Sequence, residues 1–426
     1  MNEIIGKSVL ILGYGAEGQS VRRWLKKFHP DLKIGIADQK LKNRNRSLLT
    51  TSGDSCSNYD TIVKSPGIPP NLPALTTAKA AGRHITSATN IFFSVCPGKI
   101  IAVTGTKGKS TTASLIKAIL STAYLDVRLV GNIGNPALDY LDGADKNTLF
   151  VIELSSYQLE DIRYGPHVAV ILDIVPEHLD RYRDFESYVA AKTQIVRFQS
   201  ADDYVIFNPD HEIPAKISAQ SPAQKIPFSL SKPSSRATKG SVAILWPENC
   251  SAAIAVAGIF NVPAEKIRQA ITRFKPLPHR LENIGEYRGI IFYDDSIATI
   301  PQATIHALNA LGEKVETLIA GGFDRGLDYT ELGKFLANRK GLKNIILFPD
   351  TGEKIATAVR RASRTSLRAT AGSVAIFPVS SMKQAVDIAF AKTGKGKICL
   401  LSPAAASYNL FSNFEDRGDE FRRQIK

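Results

Sequence analysis

At 426 residues the chain is too long for one typical folding core, so two or three domains are expected. The apolar share of 44% and the charged share of 22% are ordinary for a water-soluble globular protein, and no apolar run is long enough to span a bilayer. The formal charge of +14 is diffuse and comes with no recognisable nucleic-acid module, which argues against a nucleic-acid partner and for anionic small substrates.

The first segment, residues 1–95, opens with an apolar strand, Val9 to Leu12. The turn GYGAEG (Gly13 to Gly18), a helix from Gln19 to Phe28 and a second strand, Lys33 to Ala37, ending at Asp38, follow. Strand, GxGxxG, helix, strand and acid form a dinucleotide-fold pattern that suits any diphosphate ligand. An NAD-dependent oxidoreductase is one reading of it. DTIVKSPGIPP (Asp60 to Pro70) then reads as a strand that ends in a Pro/Gly loop carrying Ser65 and Gly67.

Residues 96–277 begin with GKIIAVTGTKGKSTTASLIKAIL. A buried strand, Ile100 to Val103, breaks into the turn Thr104 to Gly108 and then into Lys109, Ser110 and Thr111 ahead of a helix. Strand, glycine loop, Lys-Ser and helix are the parts of a triphosphate cradle, although the usual first glycine is replaced by Val103. Here Lys109 reaches phosphates and Ser110 ligates Mg²⁺. A strand from Leu149 to Ile152 delivers Glu153, and another from Val168 to Leu172 precedes Asp173, Glu177, His178 and Asp180. Glu153, His178 and Ser110 are the candidate Mg²⁺ ligands. Lys192 lies on a helix from Phe185 to Phe198 and by itself reads as a solvated lysine. Residues 209–240, rich in Pro, Ser and Lys, read as surface hairpins and loops.

FKPLPHRLE (Phe274 to Glu282) reads as a linker. Beyond it, GIIFYDDS, VETLIAGG, NIILFPD, SVAIFPV and KICLLSP supply the strands of a third α/β domain, 278–426. The expected fold class is therefore α/β in three domains, with mostly parallel sheets whose ligands lie off the strand C-termini. The cysteines, Cys56, Cys96, Cys250 and Cys399, make no CxxC pair. That suits a reducing cytoplasm and argues against a cysteine zinc site. MNEIIGKSVLILGYG has neither a basic leader nor a cleavage site, so no signal peptide is expected.

TGTKGKST, ELSSYQLE, DIVPEHLDRY with a following AAK, PHRLE, DDSIAT, AGGFDRG and LLSPAAASYNLFSNFEDRGDEFR occur in the order seen in the Mur ligases of peptidoglycan synthesis, and the chain resembles that family from about Gly6 to Phe421. The GYGAEG and SPGI turns, with the C-terminal SPAxAS and FxxRGxxF motifs, are most similar to the members that add glutamate to UDP-N-acetylmuramoyl-L-alanine. The resemblance implies a Rossmann-like UDP-binding domain (1–95), a P-loop-type ATPase domain (96–277) and a Rossmann-like amino-acid domain (278–426). It implies ATP-dependent addition of D-glutamate through an acyl phosphate, with L-glutamate or another amino acid as the alternative. A cytoplasmic monomer needing ATP and Mg²⁺, without nucleic-acid or membrane partners, is expected.

By resemblance, Gly105, Thr106, Lys107, Gly108, Lys109, Ser110 and Thr111 hold the phosphates, and Ser110 and Glu153 hold the first Mg²⁺. His178 ligates a second, supported by Lys192 carrying a carbamate. Tyr14, Gly15, Ala16, Asp38, Ser65 and Gly67 surround the uridine diphosphate. Asn132 and Ser155 touch the muramoyl-alanine part. Asn249, Arg280 and Asp295 serve the nucleotide, and Thr299, Arg325, Ser407 and Phe414 the glutamate. Two departures stand out. Ile297 replaces a lysine of the family's DSKAT segment, which leaves the stereochemistry of the amino acid open. PENCSAA is a reduced version of the adenine-side motif.

Overall fold

The computed structural model describes residues 3–38, 54–133, 136–177, 181–229, 247–274, 278–365 and 374–426. His178, Asp180 and residues 230–240 of the expected loop region lie outside this set. Two compact units divide the chain, Met1–Phe274 and Lys275–Lys426.

The first unit carries two sheets. The smaller contains β1 (Ser8–Leu12), β2 (Lys33–Ala37), β3 (Thr61–Lys64) and β4 (His84–Ser87) in the order β2-β1-β3-β4, all parallel. Val9 through Leu12 are fully buried, as expected of a strand covered on both faces. The helix Ala16–Phe28 starts three residues earlier than the apolar pattern suggests. A side chain at Gly18 would run into the Gly13 carbonyl, so glycine there lets the helix pack directly on the turn.

The larger sheet contains β5 (Lys99–Thr104), β6 (Val127–Gly131), β7 (Leu149–Glu153), β8 (Val168–Ile171), β9 (Tyr204–Phe207) and β10 (Gln224–Pro227). Its order is β10-β9-β8-β5-β7-β6, again all parallel. β5 lies between β7 and β8, which brings Thr104, Glu153 and Leu172 side by side at one edge. The expectation of hairpins over 209–240 is corrected as far as residue 229. A helix, Glu212–Ala219, and the parallel strand β10 stand there. The prolines mislead because Pro214 sits in the first helical turn, where its missing N–H is not needed, and Pro227 ends an edge strand.

The second unit contains β11 (Glu282–Tyr287), β12 (Ile290–Asp294), β13 (Val315–Gly322), β14 (Asn344–Asp350), β15 (Ala375–Pro378) and β16 (Ile398–Leu401). Its order is β11-β12-β16-β13-β14-β15; only the β11–β12 hairpin is antiparallel. The connection from β12 through helix Pro301–Leu311 to β13 passes over β16. The C-terminal ends of these three strands therefore frame a crevice of the kind where open α/β sheets bind ligands.

Candidate active site

In the first unit the phosphate loop joins β5 to the helix Lys109–Leu120. Gly108 caps that helix at φ 83°, and a Cβ there would lie 2.5 Å from Asn249 Oδ1. Only glycine holds this turn, and Asn249, itself buried, is pressed against it. Thr106 N donates to Asp173 O at 2.8 Å, and the Thr106 hydroxyl donates to Val175 O at 3.0 Å, which ties the loop to the segment after β8. Lys109 Nζ donates to Thr106 O at 2.9 Å, and Lys107 pairs with the buried Glu177 at 2.9 Å.

Glu153 ends β7 buried, with Oε1 accepting from Asn132 Nδ2 at 3.3 Å and Oε2 buried without a hydrogen-bond partner. Thr111 Oγ1, in the first turn of the phosphate-loop helix, is likewise buried and unpartnered. An orphaned carboxylate oxygen is costly in a protein interior. With half-buried Ser110, it provides the hard oxygen donors that suit Mg²⁺ beside a phosphate-binding helix terminus. Among the described residues no three of His, Cys, Asp and Glu converge on one point. Phosphate oxygens and water would complete the shell, as is usual for Mg²⁺.

Lys192 is not a solvated lysine. Its side chain is buried, and Nζ donates to Gly105 O at 2.7 Å and lies 4.8 Å from the centre of the Tyr188 ring. Burial first, and the charge of Lys109 second, push its ammonium well below the ordinary lysine range.

In the smaller sheet Asp38 Oδ2 accepts from Tyr14 N at 2.6 Å, so the acid after β2 braces the glycine turn. Ser65 Oγ donates to Gly13 O at 2.9 Å. Gly15 and Gly67 have open space where a side chain would be, beside this turn and loop. Asn132 follows β6, and Ser155 caps the short helix Ser156–Leu159, where Gln158 returns a bond to Ser155 N.

One residue that carried no expected role connects the two sheets. Arg181 donates from Nη1 to Gly67 O at 2.7 Å, pairs with Glu160 at 3.4 Å and lies 4.5 Å from the centre of the Tyr157 ring. The only signal for it in the sequence is its place in DIVPEHLDRY.

In the second unit Asp295, just past β12, accepts from Leu281 N at 3.2 Å and Ser402 Oγ at 2.8 Å. Arg280 lies close enough for its charge to favour the carboxylate, yet burial dominates and pushes Asp295 up to about 7. The folded state thus binds a proton that the unfolded chain releases near 3.8. Stability of this unit is expected to fall as pH rises from about 4 to about 7. Asp295→Asn should flatten that slope in denaturant titrations at stepped pH; an unchanged slope would place the proton elsewhere.

Arg417, also unassigned from the sequence, donates to Ser296 Oγ and O, Ala405 O and Ala406 O from a fully buried position. It clamps the loop carrying Asp295 and Thr299 to the loop carrying Ser407. Phe414 opens the last helix, with its carbonyl accepting from Ser296 Oγ at 2.8 Å. Buried Ser407 and half-buried Arg325 follow β16 and β13. The second-unit candidates thus gather at one end of their own sheet.

A Gly-Lys-Ser loop between a parallel strand and a helix, with a buried carboxylate on the adjacent strand, defines a P-loop-type nucleotide-binding α/β protein. Comparison with known proteins narrows the class. The Mur ligase middle domain matches residues 103–263, and the glutamate ligase domain of Mur ligases matches residues 279–405. The UDP-N-acetylmuramoylalanine--D-glutamate ligase of Acetivibrio thermocellus is 32% identical, over 99% of this chain and 97% of its own. The protein of that name from Koribacter versatilis is 32% identical, over 100% and 98%. Among solved structures, the UDP-N-acetylmuramate-alanine ligase of Thermotoga maritima shares the fold at a TM-score of 0.60 and 16% identity, over 98% of both chains. The chain belongs to the Mur ligase family.

Proposed function

We propose that the chain is an ATP-dependent ligase that joins D-glutamate to UDP-N-acetylmuramoyl-L-alanine in peptidoglycan synthesis. The observation that carries this reading is identity of about a third, along nearly the whole chain, to relatives named for that reaction. Residues 1–95 would bind the uridine diphosphate, 96–277 the ATP and 278–426 the amino acid.

The chemistry follows from the poor reactivity of a carboxylate toward amines. The alanyl carboxylate attacks the γ-phosphorus of ATP, the bond to ADP breaks, and an acyl phosphate forms. The glutamate amine then attacks the acyl carbon, loses a proton and expels phosphate. Lys109 and the N–H groups of the Gly105–Thr111 loop neutralise charge on the phosphoryl oxygens. Mg²⁺, held by Ser110 and Glu153, would add Lewis-acid stabilisation. His178, with a carbamate on Lys192, would serve a second ion. Asn249, Arg280 and Asp295 are assigned to the nucleotide. Thr299, Arg325, Ser407 and Phe414 are assigned to glutamate. We place the enzyme in the cytoplasm as a monomer; among the described residues no helix is long and apolar enough to cross a membrane.

Purified protein given UDP-N-acetylmuramoyl-L-alanine, ATP, Mg²⁺ and each glutamate enantiomer in turn should release phosphate with the D form only. The product should gain the mass of one glutamyl residue. Ile297, in place of the family's lysine, is the feature that favours a different amino acid. Turnover with L-glutamate alone would transfer the assignment to that reading, and no turnover with any amino acid would remove the ligase assignment.

A further inference from the structure

Glu17 stands at the second position of the helix Ala16–Phe28, directly after the Tyr14–Ala16 turn. Its Oε1 accepts from Gln158 Nε2 at 2.7 Å. Gln158 Oε1 in turn accepts from Ser155 N at 2.9 Å and from Ser155 Oγ at 3.0 Å. Ser155 follows Glu153 by two residues. One run of side-chain bonds therefore leads from the glycine turn of the smaller sheet to the carboxylate-bearing strand end of the larger.

The other oxygen, Glu17 Oε2, is buried without a hydrogen-bond partner, as is Oγ of Ser20, one turn along the same helix. Both residues line a cavity of about 10 Å³, together with Thr89, Gly131 and Gln158. A space of that size admits a single water at most, so this carboxyl cannot itself meet a nucleotide sugar there. Burial raises the carboxyl's pKa above its ordinary value, against the opposing charge of nearby Lys64.

We propose that Glu17 is a positioning residue that fixes the spacing between the two ends of the UDP-linked substrate's site. This rests on the ligase reading above, in which the Tyr14–Ala16 turn faces the uridine diphosphate and Ser155 the muramoyl-alanine. A substrate anchored at both ends reacts only if those anchors keep their separation, and small displacements are costly in rate. Two other ties from the same helix, Arg23 to Asp139 at 2.7 Å and Lys27 to Asp142 at 2.6 Å, reach the segment between β6 and β7 instead and are exposed pairs of the kind that contribute little, whereas Arg181 braces Gly67 O against Glu160. Truncating Glu17 would instead strip the Gln158 amide of its buried acceptor.

The test compares wild type, Glu17→Ala and Glu17→Gln by amide hydrogen exchange and by steady-state kinetics. Glu17→Gln keeps an acceptor for Gln158 and removes the charge. Glu17→Ala should speed exchange over residues 155–160 and raise KM for UDP-N-acetylmuramoyl-L-alanine, each roughly tenfold. KM for ATP should hold, and Glu17→Gln should stay close to wild type on every measure. Unchanged exchange and KM in Glu17→Ala, or equal losses in both variants, would overturn the proposal. If Glu17→Ala does not fold, Glu17→Asp, one methylene too short to reach Gln158, is read in the same way. A wild type that fails to turn over the substrate sinks the ligase reading, and the exchange comparison alone then decides whether Glu17 holds the Ser155 segment.

Discussion

Lys109→Ala is expected to lower kcat at least about a thousandfold, the scale on which enzymes lose rate when a phosphoryl-stabilising cation is removed. Lys109 opens the helix Lys109–Leu120, so its charge adds to the partial positive charge of the helix terminus. The other two lysines near the loop are differently engaged. Lys107 pairs with Glu177, and Lys192 is buried against Gly105 O. Nζ of Lys109 rests on Thr106 O, a contact within its own turn that a phosphate oxygen can replace without moving the backbone. The fold should therefore tolerate the alanine, with a thermal midpoint within a few degrees of wild type. Phosphate release under saturating substrates checks the rate and a melting curve checks the fold. Lys109→Arg should recover only part of the activity, because a planar fork does not replace a compact ammonium in a cradle built of backbone N–H groups. A Lys109→Ala enzyme within about tenfold of wild type would mean that the backbone loop alone carries the charge, and the role assigned to Lys109 would be withdrawn.

Elements whose physics is local were legible in the sequence. The strands at Val9, Ile100 and Leu149 lie within a residue or so of the apolar runs that announce them, because central parallel strands are buried on both faces, and the half-buried edge strand at Lys33 matches as well. Helix Glu212–Ala219 and β10 were not, since their prolines occupy the few helix and strand positions that tolerate them. The site divides in the same way. Glycine turns and carboxylates at strand ends can be read from a few neighbouring residues. The contacts that hold those pieces together cannot: Arg181 to Gly67 spans 114 positions, Gln158 to Glu17 spans 141, and Arg417 to Ser296 spans 121. No local pattern marks such pairs. The lysine on the Phe185–Arg197 helix shows the same limit, since its helical spacing suggested solvent and the fold buries it.

That burial makes Lys192→Ala the second decisive substitution. The side chain is 1% exposed. A lysine whose ammonium is disfavoured presents a neutral amine, the form that adds carbon dioxide: a nitrogen–carbon bond forms, one proton leaves the nitrogen, and an anionic carbamate results. The nearby Lys109 charge, which disfavours an ammonium at this position, would favour such an anion. If the carbamate forms, Lys192→Ala removes an anion from the metal side of the phosphate loop. The kcat should then fall about a hundredfold, the scale of losing a metal-orienting group. Formate or acetate should restore part of it, by entering the space left by the side chain. If the lysine instead serves only as the donor to Gly105 O, the alanine variant should lose thermal stability and gain nothing from added carboxylates. Isotopically labelled bicarbonate separates the two cases independently of turnover. A labelled carbamate signal present in wild type and absent in Lys192→Ala supports the modification, and no such signal in active wild-type enzyme eliminates it.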